Sequence, residues 1–239
     1  MRGISLYDRG NRRIHERGIY DMKLMTFQHN GVEKIGVESN CGCMVYPIQC
    51  FGLTYQSMNE LIEKMTEEEK KAVAKKLTGP MEGGISLSDT QKMAPIPKPK
   101  QDIICVGMNY VEHAEEAARF KESAFGGERP YPVYFAKRVN ACTPDGGIIP
   151  RHEDIVDSLD YEVELGVIIG KQASHVSEEE AYKYVFGYTV VNDVSARSLQ
   201  TRHKQWYFGK SLDGFFPMGP VIVTADEIEA PPACLLYTS

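Results

Sequence analysis

The chain has 239 residues, 42% of them hydrophobic and 25% charged, with a formal net charge of -6. This is the composition of a globular protein with one sizeable core and room for a small second unit, neither disordered nor fibrous. The acidic balance excludes a nucleic-acid binder that works by neutralising phosphates, and no run of about 18 apolar residues is present to span a membrane. Six cysteines (Cys41, Cys43, Cys50, Cys105, Cys142, Cys234) lack CxxC spacing, and without a secretory apolar segment before them a reduced, cytoplasmic chain is the simplest reading. Cys41-Gly42-Cys43 with Cys50 lacks a fourth ligand for a thiolate metal site.

Residues 1–21 hold five arginines among mixed acids and show no apolar periodicity. They are expected to be an unstructured extension; Asp8, Glu16 and Asp21 weaken the alternative of a basic targeting peptide. Folded structure is expected from Met22. A strand from Lys23 to Phe27, a tight turn at Asn30-Gly31 and a return over Glu33–Val37 make a hairpin. Ser57 with Glu60, and then Thr66 with Glu69, are capping-box signals for helix, stopped at Gly79-Pro80. The charged run Glu67–Lys76 reads as a solvated helix face. The proline-punctuated segment from Met93 reads as an extended linker. The expected organisation is therefore a small N-terminal domain at 22–92, a linker at 93–101 and a second unit from 102 onward.

That unit opens with a short buried strand, Ile103–Val106, after which Asn109 caps a helix with Glu112 at its third position. On this helix His113, Glu116, Ala117 and Phe120 share a face. His113 and Glu116 can form an acid/base pair, although a lone helix-face histidine is more usually an ordinary helical residue. The strand from Pro132 delivers Lys137 and Arg138 at its end.

Asp160–Gly170 is predicted to be one continuous strand, with Glu162 and Glu164 on the same face about 6.6 Å apart. Its apolar end, Val167-Ile168-Ile169, is expected to be buried on both sides. Taken alone, these residues read first as a charged, solvated sheet face with lysines opposite. Next to such a core, however, two like charges are poorly tolerated unless a cation or basic groups sit between them. Ser177 with Glu180 predicts another helix start, and Val185–Val191 a strand presenting Asn192 and Asp193 at its end. Ser195, Arg197, Gln200, Arg202, Trp206 and Lys210 follow, a segment rich in groups that bind carboxylate or carbonyl oxygen. Glu162, Glu164 and Asp193 together form an oxygen-rich set of the kind Mg²⁺ takes, leaving coordination positions open. With Lys137, Arg197 and Lys210 nearby, this suggests a small substrate bearing carboxylate and keto oxygens. A surface salt-bridge network is the competing reading.

Four ordered motifs resemble the fumarylacetoacetate hydrolase family: Gly107-Met-Asn-Tyr110-Val-Glu-His113-Ala-Glu-Glu116, Asp160-Tyr-Glu162-Val-Glu164-Leu, Gly187-Tyr-Thr-Val-Val-Asn-Asp193-Val-Ser-Ala-Arg197 and Gln205-Trp-Tyr-Phe-Gly-Lys210-Ser-Leu-Asp213. The resemblance runs from about residue 22 to about residue 229. It implies a mixed β with α (α+β) fold with a β-roll core and a small N-terminal domain, assembled as a homodimer. It also implies Mg²⁺ or Mn²⁺ held by Glu162, Glu164 and Asp193. His113 and Glu116 would activate water or move a proton, Lys210 would act in catalysis, and Tyr110, Lys137, Arg197 and Gln200 would contact substrate. The implied activity is a metal-dependent hydrolase or lyase of a small anionic 2-oxo or 1,3-dicarbonyl acid, working through an enolate. C–C hydrolysis, hydration, isomerisation and decarboxylation all use that chemistry.

Two departures stand out. Many relatives have threonine four residues after the lysine, where this chain has Gly214. The family also continues past residue 239 with a Gly-Thr-Pro loop, and residues 233–239 depart from its pattern. A C-terminally truncated catalytic domain at 102–232 is thus expected, with an inactive metal-binding or misfolded fragment as the alternative.

Overall fold

The Asn30-Gly31 pair sits in left-handed conformation, with φ of 52° and 77°, as a two-residue hairpin turn requires. Strand β1 (Lys23–His29) therefore folds straight back as β2 (Val32–Glu38), with His29 opposite Val32. The computed structural model describes residues 22–107 and 131–228. Within them, β2 is extended by β3 (Met44–Pro47) and β4 (Ile85–Ser86), while β5 (Gln91–Lys92) pairs with the end of β1. Two helices cross this part of the sheet, α1 (Met58–Lys64) and α2 (Glu67–Leu77). Two are formed because the Thr66–Glu69 capping box is complete and starts a second helix. Ser57 caps α1, but Glu60 reaches past it to the Gln56 amide.

Two short ribbons follow, β6 (Ile103–Gly107) with β7 (Val133–Lys137), and β8 (Leu159–Asp160) with β11 (Ser195–Ala196). The main sheet is completed by β9 (Val163–Ile169), β10 (Val185–Asn192) and β12 (Met218–Thr224). Its order is β4-β3-β2-β1-β12-β10-β9, all neighbours antiparallel. One core cluster joins Leu24, Val37, Leu61 and Val73 to Phe186, Val191, Met218 and Ile222. The sheet and its core thus run from the N-terminal strands into those that carry the acidic residues. Residues 93–96 lie along β1: the Met93 amide donates to the Thr26 carbonyl at 3.0 Å, the Thr26 hydroxyl donates to the Pro95 carbonyl at 2.7 Å, and Ala94 and Ile96 are buried.

Four local expectations are corrected. The strand expected over Asp160–Gly170 is interrupted at Tyr161-Glu162, where the chain passes from the β8 ribbon to the main sheet. Its apolar end is not buried on both sides: Val167 is 48% and Ile169 56% exposed, because β9 is the terminal strand of the sheet among the described residues. The chain is also not fully reduced. Cys41 and Cys43 form a disulfide at the β2–β3 turn, their Cα atoms 5.4 Å apart, while Cys50, Cys105 and Cys142 are free. Finally, Ser177 makes no capping side-chain bond, and the helix after it is the single turn Glu178–Ala181. The segment 1–21, the helix expected to carry His113 and Glu116 together with Tyr110, and residues 233–239 lie outside the described residues.

Candidate active site and metal centre

The acidic residues converge where β9 and β10 meet their flanking ribbon. Glu164 of β9 is opposite Val191, and Asn192 is opposite Val163. Beyond this register the two chains are stitched by the Asp193 amide, which donates to the Glu162 carbonyl at 2.8 Å, and by the Asn192 side-chain oxygen, which accepts from the Glu162 amide at 3.0 Å. Carboxylate oxygens of Glu162, Glu164 and Asp193 thereby come within 4.8 Å of one another. Glu162 and Asp193 are buried and Glu164 half-buried. They are not a solvated sheet face.

Two ammonium groups, also buried, close on them. Lys137, at the end of β7, donates to Asp193 at 2.5 Å and to the Val194 carbonyl at 3.0 Å. Lys210, closing the helical turn Tyr207–Lys210, donates to Glu162 Oε1 at 3.0 Å, to Asp193, and to the Ser195 hydroxyl at 3.0 Å. Its Nζ lies 4.8 Å from the centre of the Phe135 ring, within cation–π range. That turn packs tightly on the helix Arg197–Arg202: a Cβ on Gly209 would stand 2.5 Å from the Gln200 nitrogen, so glycine lets the helix carrying Lys210 approach.

Arg197 uses most of its five donors internally. Nε and Nη2 donate to Asp160 Oδ2 at 2.8 and 2.5 Å, Nη2 lies 3.0 Å from Glu162 Oε1, and Nη1 donates to Gln200 Oε1 at 3.0 Å. Because arginine can only donate, the Gln200 atom facing it is the carbonyl oxygen, which turns the Gln200 amide NH₂ the other way. Among the described residues, one Nη1 proton of Arg197 and the Gln200 amide NH₂ are left without an acceptor.

Burial disfavours the charged form of Glu162, yet Lys210, Arg197 and the Ser195 hydroxyl outweigh it and hold its pKa below the usual carboxylate value. Glu164 goes the other way, pushed up to about 7 by burial and then by the charges of Asp193 and Glu162. Among the described residues it makes no ion pair. Burial also lowers the Lys137 pKa, against the pull of Asp193. Three hard oxygen donors, one of them raised by burial and then by like charges, fit a hard divalent cation, which would offset both the lost hydration and the repulsion at Glu164.

The Glu164 shift carries a sign. A carboxyl whose pKa rises on folding binds more protons folded than unfolded between 4.5 and about 7. Stability therefore falls as pH rises through that window and levels off above it. In chelator-containing buffer Glu164→Gln is expected to gain on the order of 1–3 kcal/mol over the parent at pH 8 and much less at pH 5. Urea midpoints at the two pH values test this, and the same parent–variant difference at both would count against it.

Sequence reasoning named the three carboxylates, Lys137, Lys210, Arg197 and Gln200, and the fold brings all of them together. It placed Asn192 at a strand end and Ser195 in the oxygen-binding segment without a specific task and gave none to Asp160; in the structure Asp160 orients Arg197, Asn192 holds the Glu162 amide and Ser195 contacts Lys210. Their signal was only polar character beside the named acids. Gly214, where relatives often carry threonine, has φ of 81°, and a Cβ there would stand 2.3 Å from Pro150 Cδ, so the local backbone is built around glycine.

The three carboxylates, flanked by buried lysines on an antiparallel sheet, form an acidic group that could hold a metal ion. Residues 102–239 match the family model described as fumarylacetoacetate (FAA) hydrolase C-terminal. Over 224 residues the chain is 33% identical to the uncharacterized protein SAUSA300_0871 of Staphylococcus aureus (strain USA300), covering 88% of this chain and 72% of that one. It is 48% identical over 146 residues to the oxaloacetate tautomerase YisK of Bacillus subtilis (strain 168), covering 61% of this chain and 47% of that protein, so the match spans less than half the Bacillus protein's length. Among solved structures it resembles the fumarylacetoacetate hydrolase (EaFAH) from psychrophilic Exiguobacterium antarcticum, with TM-score 0.65 and 35% identity over 87% of this chain and 68% of that one. The chain belongs to the fumarylacetoacetate hydrolase family. Among the described residues no helix is long and apolar enough to cross a membrane.

Proposed function

We propose that the chain carries the metal-binding and catalytic residues of a divalent-metal-dependent enzyme acting on a small 2-oxo or 1,3-dicarbonyl carboxylic acid through an enolate. The observation that carries this reading is the convergence of Glu162, Glu164 and Asp193 within 4.8 Å, next to Lys210 and Arg197. The three carboxylates would hold Mg²⁺ or Mn²⁺, which when bound would supply Lewis-acid stabilisation of negative charge on a keto oxygen. Lys210 adds a fixed ammonium to the same field at no reorganisation cost. The Arg197 Nη1 group and the Gln200 amide bind the substrate carboxylate. Lys137 holds Asp193 in place through its 2.5 Å contact.

Proton transfer is assigned to His113 oriented by Glu116, with Tyr110 against the substrate, on the strength of the sequence motif alone. Oxaloacetate, the 2-oxo acid in the name of the Bacillus relative, is the first substrate to try, followed by acylpyruvates. The same reading takes the working form to be a homodimer, supported by the exposed apolar side chains Val163, Val167 and Ile169 on β9 and Val190 on the neighbouring β10.

A bound ion stabilises the native state by RT ln(1 + [L]/Kd), about 2.7 kcal/mol at one hundred times Kd. Mg²⁺ is therefore expected to raise the melting temperature of the purified chain, and Glu162→Ala to remove that rise. A parent chain indifferent to Mg²⁺ and Mn²⁺, or an unchanged rise in the variant, would overturn the reading.

A further inference from the structure

Ser195 has no exposed surface and stands directly opposite Asp160 in the β8–β11 ribbon. A hydroxyl has one proton to give and two lone pairs to offer. Here Lys210 Nζ donates to it at 3.0 Å, and its own proton has two acceptors in reach, Glu162 Oε1 at 2.8 Å and the Asp193 carbonyl at 3.0 Å. Lys210 also donates to that same Glu162 oxygen at 3.0 Å. Ser195, Lys210 and Glu162 therefore form a closed triangle.

Its corners are unequal. Lys210 is a point charge at the end of a flexible four-carbon stem, and Glu162, in the break between β8 and β9, has its backbone held by Asp193 and Asn192 but carries its carboxylate on a longer side chain than serine's. The hydroxyl alone is attached by a short side chain to paired backbone.

We propose that Ser195 is a positioning residue whose hydroxyl holds Glu162 Oε1 and Lys210 Nζ at a fixed separation, so that Glu162 is aimed at Glu164 and Asp193 as an ion ligand and Lys210 is kept beside them; this rests on the metal reading above. The chemistry needed is a hydroxyl, not a volume. Threonine keeps it, whereas valine fills the same space and leaves the buried Glu162 oxygen and a Lys210 N–H each one partner short.

The test is Mg²⁺ affinity by titration calorimetry on the full chain and on its Ser195→Ala, Ser195→Thr and Ser195→Val variants, each first checked for a cooperative melt in chelator. Groups that orient metal ligands typically change affinity about 10- to 100-fold when removed. Ser195→Ala is expected to weaken Mg²⁺ at least about tenfold, Ser195→Val to be no better, and Ser195→Thr to restore binding. Alanine binding like the parent, or threonine and valine binding alike, would overturn the role of Ser195. If the two larger variants do not fold, alanine against parent decides. A parent chain that binds neither Mg²⁺ nor Mn²⁺ would overturn the metal reading and this role with it, whereas parent binding with an unaffected alanine variant removes Ser195 alone.

Discussion

An Asp193→Asn variant is expected to lose about 3–5 kcal/mol of folding stability, the usual cost of removing one partner from a buried ion pair, and to lose divalent-ion binding with it. Asp193 receives two buried ammonium groups, Lys137 on one oxygen and Lys210 on the other. Asparagine preserves the shape but removes the charge, and its NH₂ faces one of the lysines donor to donor. Where that NH₂ faces Lys137, the ammonium keeps, among the described residues, the Val194 carbonyl as its hydrogen-bond acceptor. Since burial already lowers its pKa, it escapes by losing its proton more readily at high pH, and the deficit is expected to be smaller at pH 9 than at pH 6. Urea unfolding in chelator at both pH values, with calorimetry for the ion, measures each part. An unchanged midpoint would mean that the lysines do not depend on Asp193.

Lys210→Met is expected to separate catalysis from ion binding. The ammonium neutralises Glu162 and Asp193, two of the three groups that would hold the ion. Removing it leaves those carboxylates short of positive charge, so Mg²⁺ affinity is expected to hold or rise. Turnover of whichever 2-oxo acid proves active is expected to fall about 10²–10³-fold, the usual effect of deleting one preorganised group that stabilises a developing oxyanion. Steady-state kinetics at saturating Mg²⁺ beside calorimetry of the same variant tests both halves. Parallel loss of affinity and turnover would make Lys210 a structural member of the cluster instead.

Much of the candidate site was legible because its chemistry is local in the chain. Alternation along a strand puts Glu162 and Glu164 on one side, acids there are anomalous beside an apolar run, and Asp193 sits where a strand ends. The Asn30-Gly31 turn and the Thr66–Glu69 capping box were legible for the same reason, since backbone conformation and short-range hydrogen bonds decide them. Part of what was misread depended on neighbours distant in sequence. Val167 and Ile169 have the composition of a doubly buried strand, and only the sheet order makes β9 terminal and leaves them half exposed. Cys41 and Cys43 follow no spacing rule that distinguishes free thiols from a bonded pair, and the β2–β3 turn brings them together.

By itself, then, the sequence determined the family, the acidic triad and the cations that accompany it, because residue type and short spacing carry that information. The tertiary structure decided which cation meets which acid. Burial and partner geometry hold Glu162 ionised and push Glu164 to about 7, turn Arg197 inward onto Asp160, and place the Ser195 hydroxyl between Glu162 and Lys210. Those quantities depend on distances between segments 15 to 56 residues apart in the chain, which no local pattern encodes.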